Sequence, residues 1–157
     1  MVHDPAAIPV SDSDADVAGV GTGEIMVADE TRTEIEQFLG RVPSWIEALS
    51  PSASDHSWGI VRDLMLGETV LPNREKALVG LGAAAAIQCP YCVRFHRAEA
   101  TLEGVTEEEM TEAVNVASAV KYFSTTLHGA EVDQREFADE TAAIVEHVEE
   151  GAESADD

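Results

Sequence analysis

The chain has 157 residues, 45% of them hydrophobic but only 5% aromatic, and a formal charge of -22 from 31 acidic and 9 basic residues. That charge argues against nucleic acid and anionic membrane as partners. A core built from aliphatic residues and alanine favours close-packed helices over sheet.

Residues 1–27 contain no Lys, Arg or aromatic residue and show no hydrophobic period, so they read as a flexible acidic tail. They also lack the basic and apolar regions of a secretory signal, which predicts a cytoplasmic protein. Gly19-Val20-Gly21-Thr22-Gly23 is not a phosphate loop, because no strand precedes it and no Gly-Lys-Ser/Thr follows.

The pattern then predicts an all-α domain of about six helices over residues 28–150, with no strand alternation. Asp29 can cap a helix carrying Ile35, Phe38 and Leu39 that Gly40 ends. Pro43 can begin a short helix with Trp45, Ile46 and Leu49. Pro51 and Ser52 lead into a helix with Trp58, Ile60, Val61, Leu64 and Met65, stopped by Gly67. Asn73 caps the next, which runs through Ala77–Ile87 toward Cys89. That run of 11 apolar residues is too short to cross a bilayer and reads as a central, buried helix. Gly80 and Gly82 cost helix propensity there, as expected where another helix approaches closely.

Pro90 fits the first turn of a helix bearing Cys92, Phe95 and His96 that ends near Gly104. Thr106-Glu107-Glu108-Glu109 is a capping box and opens a long helix closed by Gly129. Asp133 begins the last helix, with Phe137, Ile144, Val145 and Val148 on one face and fraying expected beyond Val148. Residues 151–157 read as an acidic C-terminal tail.

Cys89-Pro90-Tyr91-Cys92 and His96 carry the chemistry. They include both cysteines of the chain. On a helix, Cys89 and Cys92 stand at i and i+3, with His96 at i+4 from Cys92, all on one face. Backbone N–H groups and the dipole of a helix N-terminus favour a thiolate, and Arg94 and Arg97 add positive charge. A neutral imidazole at His96 can accept the thiol proton. In a cytoplasmic protein such a pair points to redox catalysis rather than a permanent staple. The bland alternative is two buried cysteines acting as small hydrophobes. Zinc ranks last, because a structural site needs four ligands and Cys89 and His96 are separated by roughly 10 Å of helical rise. No metal and no cofactor is expected. His56 and His128 stay undecided, and Trp58, Tyr91, Phe95 and Tyr122 are candidate pocket residues with ordinary packing as the alternative. Scarce lysine (only Lys76 and Lys121) and abundant Ala, Asp and Glu suggest adaptation to concentrated salt.

Glu75-Lys76-Ala77-Leu78, the alanine-rich stretch, Gln88-Cys89-Pro90-Tyr91-Cys92 and His96 together resemble the core of the AhpD-like alkylhydroperoxidases. These belong to the carboxymuconolactone decarboxylase superfamily. Gly104-Val105-Thr106-Glu107-Glu108-Glu109 and Glu112-Ala113-Val114 extend the resemblance, which covers roughly residues 40–135. It implies an all-helical fold assembled as a homo-oligomer, a trimer or a hexamer. It also implies hydroperoxide reduction with Cys92 peroxidatic, Cys89 resolving and His96 assisting proton transfer, served by a thiol or lipoyl-type reductant. One position departs. The family often has a glutamate twelve residues before the first cysteine, where this chain has Ala77. Glu75 would point about 200° away around the helix, leaving water, Glu68 or another subunit's acid for the relay. Two rival readings follow: a non-catalytic redox sensor or interaction module, and a decarboxylase-type enzyme independent of the cysteines.

Overall fold

A computed structural model describes residues 27–153. Of the expected tails, residues 1–26 and 154–157 lie outside the described residues; the chain is still helical at 151–153. The described residues are all-helical and contain no strand, as the sequence predicts. Among the described residues there are seven α-helices and one π-helical stretch, rather than about six. Among the described residues no helix is long and apolar enough to cross a membrane.

The chain divides into two compact units, with the boundary after Trp58. The first holds α1 (Asp29–Leu39), α2 (Ser44–Glu47) and α3 (Pro51–Gly59) as far as Trp58. Its core is Ile35, Ile46 and Trp58, all essentially inaccessible. The indole N–H of Trp58 donates to Glu34 Oε2 at 2.8 Å, and its ring meets Phe38 edge-on at 5.8 Å. Burying an indole requires such a partner. Trp58 is therefore a packing residue, not an open pocket wall. Asp29 is not the cap expected of it: Ala28 holds that position without a side-chain bond, and Asp29 is the first helical residue, where its charge still suits the dipole.

The second unit opens with Ile60–Leu66 wound as a π-helix. It continues through α4 (Asn73–Ala86), α5 (Pro90–Leu102), α6 (Glu107–Gly129) and α7 (Gln134–Glu153). α4 is central and packs against both α5 and α6. Ala77, Leu81, Ala100, Val105 and Met110 form the core there, with Leu78, Val93 and Val114 at its edge. The apolar circumference of α4 is not wholly covered, since Val79 and Ile87 stay exposed. Asn73 is not its cap. Pro72 takes that place, and the Asn73 amide donates to Leu66 C=O at 3.1 Å, tying the π-helical stretch to α4.

Three helices of this unit end in the same way. At the end of α4, Cys89 N–H bonds Ala84 C=O and Gln88 N–H bonds Ala85 C=O. Val105 with Ala100 and Gly104 with Thr101 repeat the pair after α5, and Val132 with Leu127 and Glu131 with His128 repeat it after α6. Each motif needs one left-handed residue. Gly104 supplies it after α5, but Gln88 (φ 58°) and Glu131 (φ 53°) supply it elsewhere. Gly129, expected to close α6, is instead its last helical residue.

The capping box of α6 forms as the spacing predicts. Thr106 Oγ1 accepts from Glu109 N–H at 3.2 Å, and Thr106 N–H donates to Glu109 Oε2 at 2.9 Å. The Thr106 N–H, then Arg74 and the Thr106 hydroxyl, hold the Glu109 carboxyl below its ordinary value of 4.5. A depressed carboxylate stabilises the fold fully above that ordinary value, and the contribution disappears as pH falls through the lower folded value. Thr106→Ala is expected to cost about 0.5–2 kcal/mol in urea unfolding at neutral pH. The part of the wild-type advantage that rests on the hydroxyl's bond to Glu109 Oε2 should be lost in acid, whereas the bond from the residue 106 N–H survives the substitution. A difference that held constant from pH 7 down to pH 2 would contradict this account of the cap.

α7 does not frame the core. Phe137, Ile144, Val145 and Val148 are all exposed, and the helix continues past Val148 to Glu153.

Candidate functional site

The turn between α4 and α5 builds the site. Cys89 serves two helices at once. Its N–H closes the end of α4 on Ala84 C=O at 3.0 Å, and its side chain caps the start of α5 by accepting from Cys92 N–H at 3.2 Å. Pro90 follows as the first residue of α5, where its missing N–H costs nothing. Cys92 thus falls at the third helical position, within the first turn. Cys89 is extended rather than helical, so the pair shares a helix start rather than one helical face. The two sulfurs are joined as a disulfide, with the Cα atoms 5.3 Å apart. Gln88, immediately before, takes the left-handed conformation that closes the end of α4.

His96 lies one turn beyond Cys92. Its ring meets Phe95 edge-on at 5.3 Å, and the side chain is 13% exposed. A Cβ placed on Gly80 of α4 would overlap the imidazole. The close approach expected at Gly80 is therefore the approach of His96 itself. Gly82 is looser: a Cβ there would lie 3.6 Å from Ala113 C=O and from Ala117 Cβ, an ordinary contact.

One side chain of the cluster was not anticipated. Glu99 Oε2 lies 2.8 Å from His96 Nδ1, one turn further along α5. Glu99 is 7% exposed, and its Oε1 is buried with no hydrogen-bond partner among the described residues. The signal for it is the H-x-x-E spacing, with the glutamate set between Ala98 and Ala100 on a helix that must bury a face.

The positions considered for a relay acid differ from Glu99. Ala77 is fully buried in the α4 core, while Glu75 and Glu68 are exposed. Of the other histidines, His56 Nδ1 is 2.8 Å from Ser52 C=O, and His128 lines a cavity of about 320 Å³ at the α6–α7 turn. Tyr91 is 85% exposed and Tyr122 66%, so neither walls a closed pocket. Among the described residues no group of three or more His, Cys, Asp or Glu side chains converges as a metal site would require.

An open groove of about 550 Å³ reaches the disulfide from outside, lined by Ala85, Gln88, Cys89, Val93, Arg94 and Arg97. Arg97 pairs with Glu107 on its rim.

A sequence model of the carboxymuconolactone decarboxylase family matches residues 53–134, more than half of the chain. The chain belongs to this family. The matched stretch takes in α4, the Cys89–Cys92 turn, α5 and α6. The chain is also similar to "Uncharacterized protein 4 in cox locus" of Paracoccus denitrificans. The two are 30% identical over 67 residues, 43% of this chain, and the match spans about 60% of the length of that relative. No solved structure matches. The carboxymuconolactone decarboxylase family includes enzymes, so the site is read as a candidate active site.

Proposed function

We propose that this chain is a cytoplasmic, homo-oligomeric thiol peroxidase that reduces hydroperoxides through Cys92. The carrying observation is the joined Cys89–Cys92 pair at the start of α5, with His96 one turn beyond. In the reduced enzyme the Cys92 thiolate attacks one peroxide oxygen. The S–O bond forms as the O–O bond breaks, and the leaving alkoxide takes a proton by way of His96. ROOH leaves as ROH, and Cys92 becomes a sulfenic acid. The Cys89 thiol then attacks the Cys92 sulfur, water departs, and the disulfide closes. Two thiols of an external reductant, free or lipoyl-type, reopen it by exchange and leave as their own disulfide. The groove at Cys89 gives that reductant a path to the resolving sulfur.

The exposed apolar stripe of α7 supports assembly with further copies. The charge of -22 supports adaptation to concentrated salt. Thermal unfolding should then shift to higher temperature between dilute buffer and molar KCl; equal midpoints would remove the salt-adaptation reading.

The activity is tested by dithiol- or NADPH-coupled turnover of several hydroperoxides by wild type and Cys92→Ser. Absence of thiol-dependent turnover with every peroxide and reductant would sink the peroxidase reading. Ala77, buried where the resembling enzymes often carry an acid, favours one rival. A disulfide that cycles and changes the oligomeric state without turnover selects a redox sensor. Activity retained in Cys89→Ser/Cys92→Ser selects a decarboxylase-type enzyme.

A further inference from the structure

We infer that Glu99 is the positioning residue of the site: it fixes the tautomer and orientation of His96 from within α5. A carboxylate is among the least favourable groups to bury unless something holds its charge. In the second unit Glu99 is the one buried charged side chain among the described residues. Its neighbour Ala100 belongs to the α4–α5–α6 core, so Glu99 lies beside that core rather than on the acidic surface. One oxygen finds no partner among the described residues and the other finds His96 Nδ1, so the imidazole is the group that holds this carboxylate.

The contact has a definite chemical consequence. An ionised carboxylate only accepts hydrogen bonds, so the proton of a neutral His96 must sit on Nδ1. Nε2 is then the lone pair. It is the nitrogen free to take a proton from Cys92, four residues earlier on the same helix, and to return it to the leaving oxygen. Gly80 keeps the ring in that place, because any larger residue on α4 would claim its volume. The resembling enzymes often hold a carboxylate on the preceding helix, where this chain has the buried Ala77. Glu99 offers one from α5 itself, so the pair is complete within one helix and needs no second subunit. The use of Nε2 in peroxide chemistry rests on the peroxidase reading above; the tautomer does not.

Two readouts separate these claims. The full-length protein, labelled with 15N-histidine and assigned against His96→Gln, is examined by long-range 1H–15N spectra in the reduced and the oxidised form. Neutral His96 should carry its proton on Nδ1 in wild type. Glu99→Leu should move it toward Nε2, while Glu99→Gln, which keeps an acceptor oxygen, should largely retain the wild-type tautomer. In coupled turnover, Glu99→Leu should lower kcat about 10–100-fold with little change in KM, the range seen when a carboxylate that orients a metal-bound imidazole is removed, and Glu99→Gln should recover part of it. An Nε2–H tautomer in wild type, or a His96 signal indifferent to Glu99→Leu, overturns the inference. The first of these needs no variant to fold. If the tautomer behaves as stated and wild type turns over no peroxide, the pairing stands and the peroxidase reading fails.

Discussion

Cys92→Ser should lose all thiol-dependent peroxide turnover, leaving only the slow background of reductant with peroxide. Serine preserves the size and the hydrogen bond of the first helical turn but supplies no nucleophile of comparable strength at neutral pH. Cys89→Ser should behave differently. Without added thiol its Cys92 can still open one peroxide per active site, but no resolving thiol follows, so consumption should stop at one equivalent. The two variants should fold alike after reduction, because Cys89 caps α5 through an atom that the serine hydroxyl replaces. Stopped consumption in Cys89→Ser, with none in Cys92→Ser, assigns the order of the two sulfurs. Equal residual turnover in both would mean that neither is a committed nucleophile.

Gly80→Ala should cost both stability and activity, although alanine is the better helix former. In an exposed helix the exchange would gain about 1 kcal/mol. At position 80 the new methyl overlaps the His96 ring, and forcing an extra methylene into a packed site costs about 1–3 kcal/mol. Relief by rotating the ring would break its bond to Glu99 and leave a buried carboxylate without a partner. The overlap should therefore win. A displaced His96 should also lower kcat by about 10²–10⁴-fold, the usual contribution of a positioned acid–base group. Gly82→Ala is the internal control. Its methyl meets only ordinary contacts at 3.6 Å, so it should be neutral or stabilising by up to about 1 kcal/mol. Matching urea midpoints and rates for the two alanines would contradict the packing described at Gly80.

The contrast between these glycines shows what the sequence can convey. Both stand in an apolar run and both read as close-approach positions, yet which neighbour fills the space is a matter of α4–α5 geometry. Elements with local signatures are legible: Pro90 opening α5, the Thr106–Glu109 box, the Asp133 cap whose Oδ1 accepts from Arg135 and Glu136 N–H. Elements without them are not. The π-helical winding of Ile60–Leu66 has no periodic mark separating it from an α-helix. Asn73 has the chemistry of a cap but spends its amide on Leu66. Glu131, not Gly129, takes the left-handed turn after α6, because the position is set by where the helix stops rather than by the nearest glycine.

The nearness of the cysteine pair and His96 is legible from spacing, though not the extended Cys89, and it follows from Pro90 and the α4 terminus. Glu99 is not. In a chain with 31 acidic residues a single glutamate carries no mark of burial. What distinguishes it is a neighbour on α4 that is a glycine, which makes room for the imidazole it holds.

The most direct test of thiol peroxidase chemistry at this site is trapping of the first oxidised sulfur. Reduced Cys89→Ser protein is exposed to one equivalent of hydroperoxide in the presence of a sulfenic-acid-specific carbon nucleophile, and the adduct is located by peptide mass spectrometry. The account predicts a stoichiometric adduct on Cys92, formed faster than with free cysteine at the same pH. No adduct, or one formed no faster than on free cysteine, would contradict it.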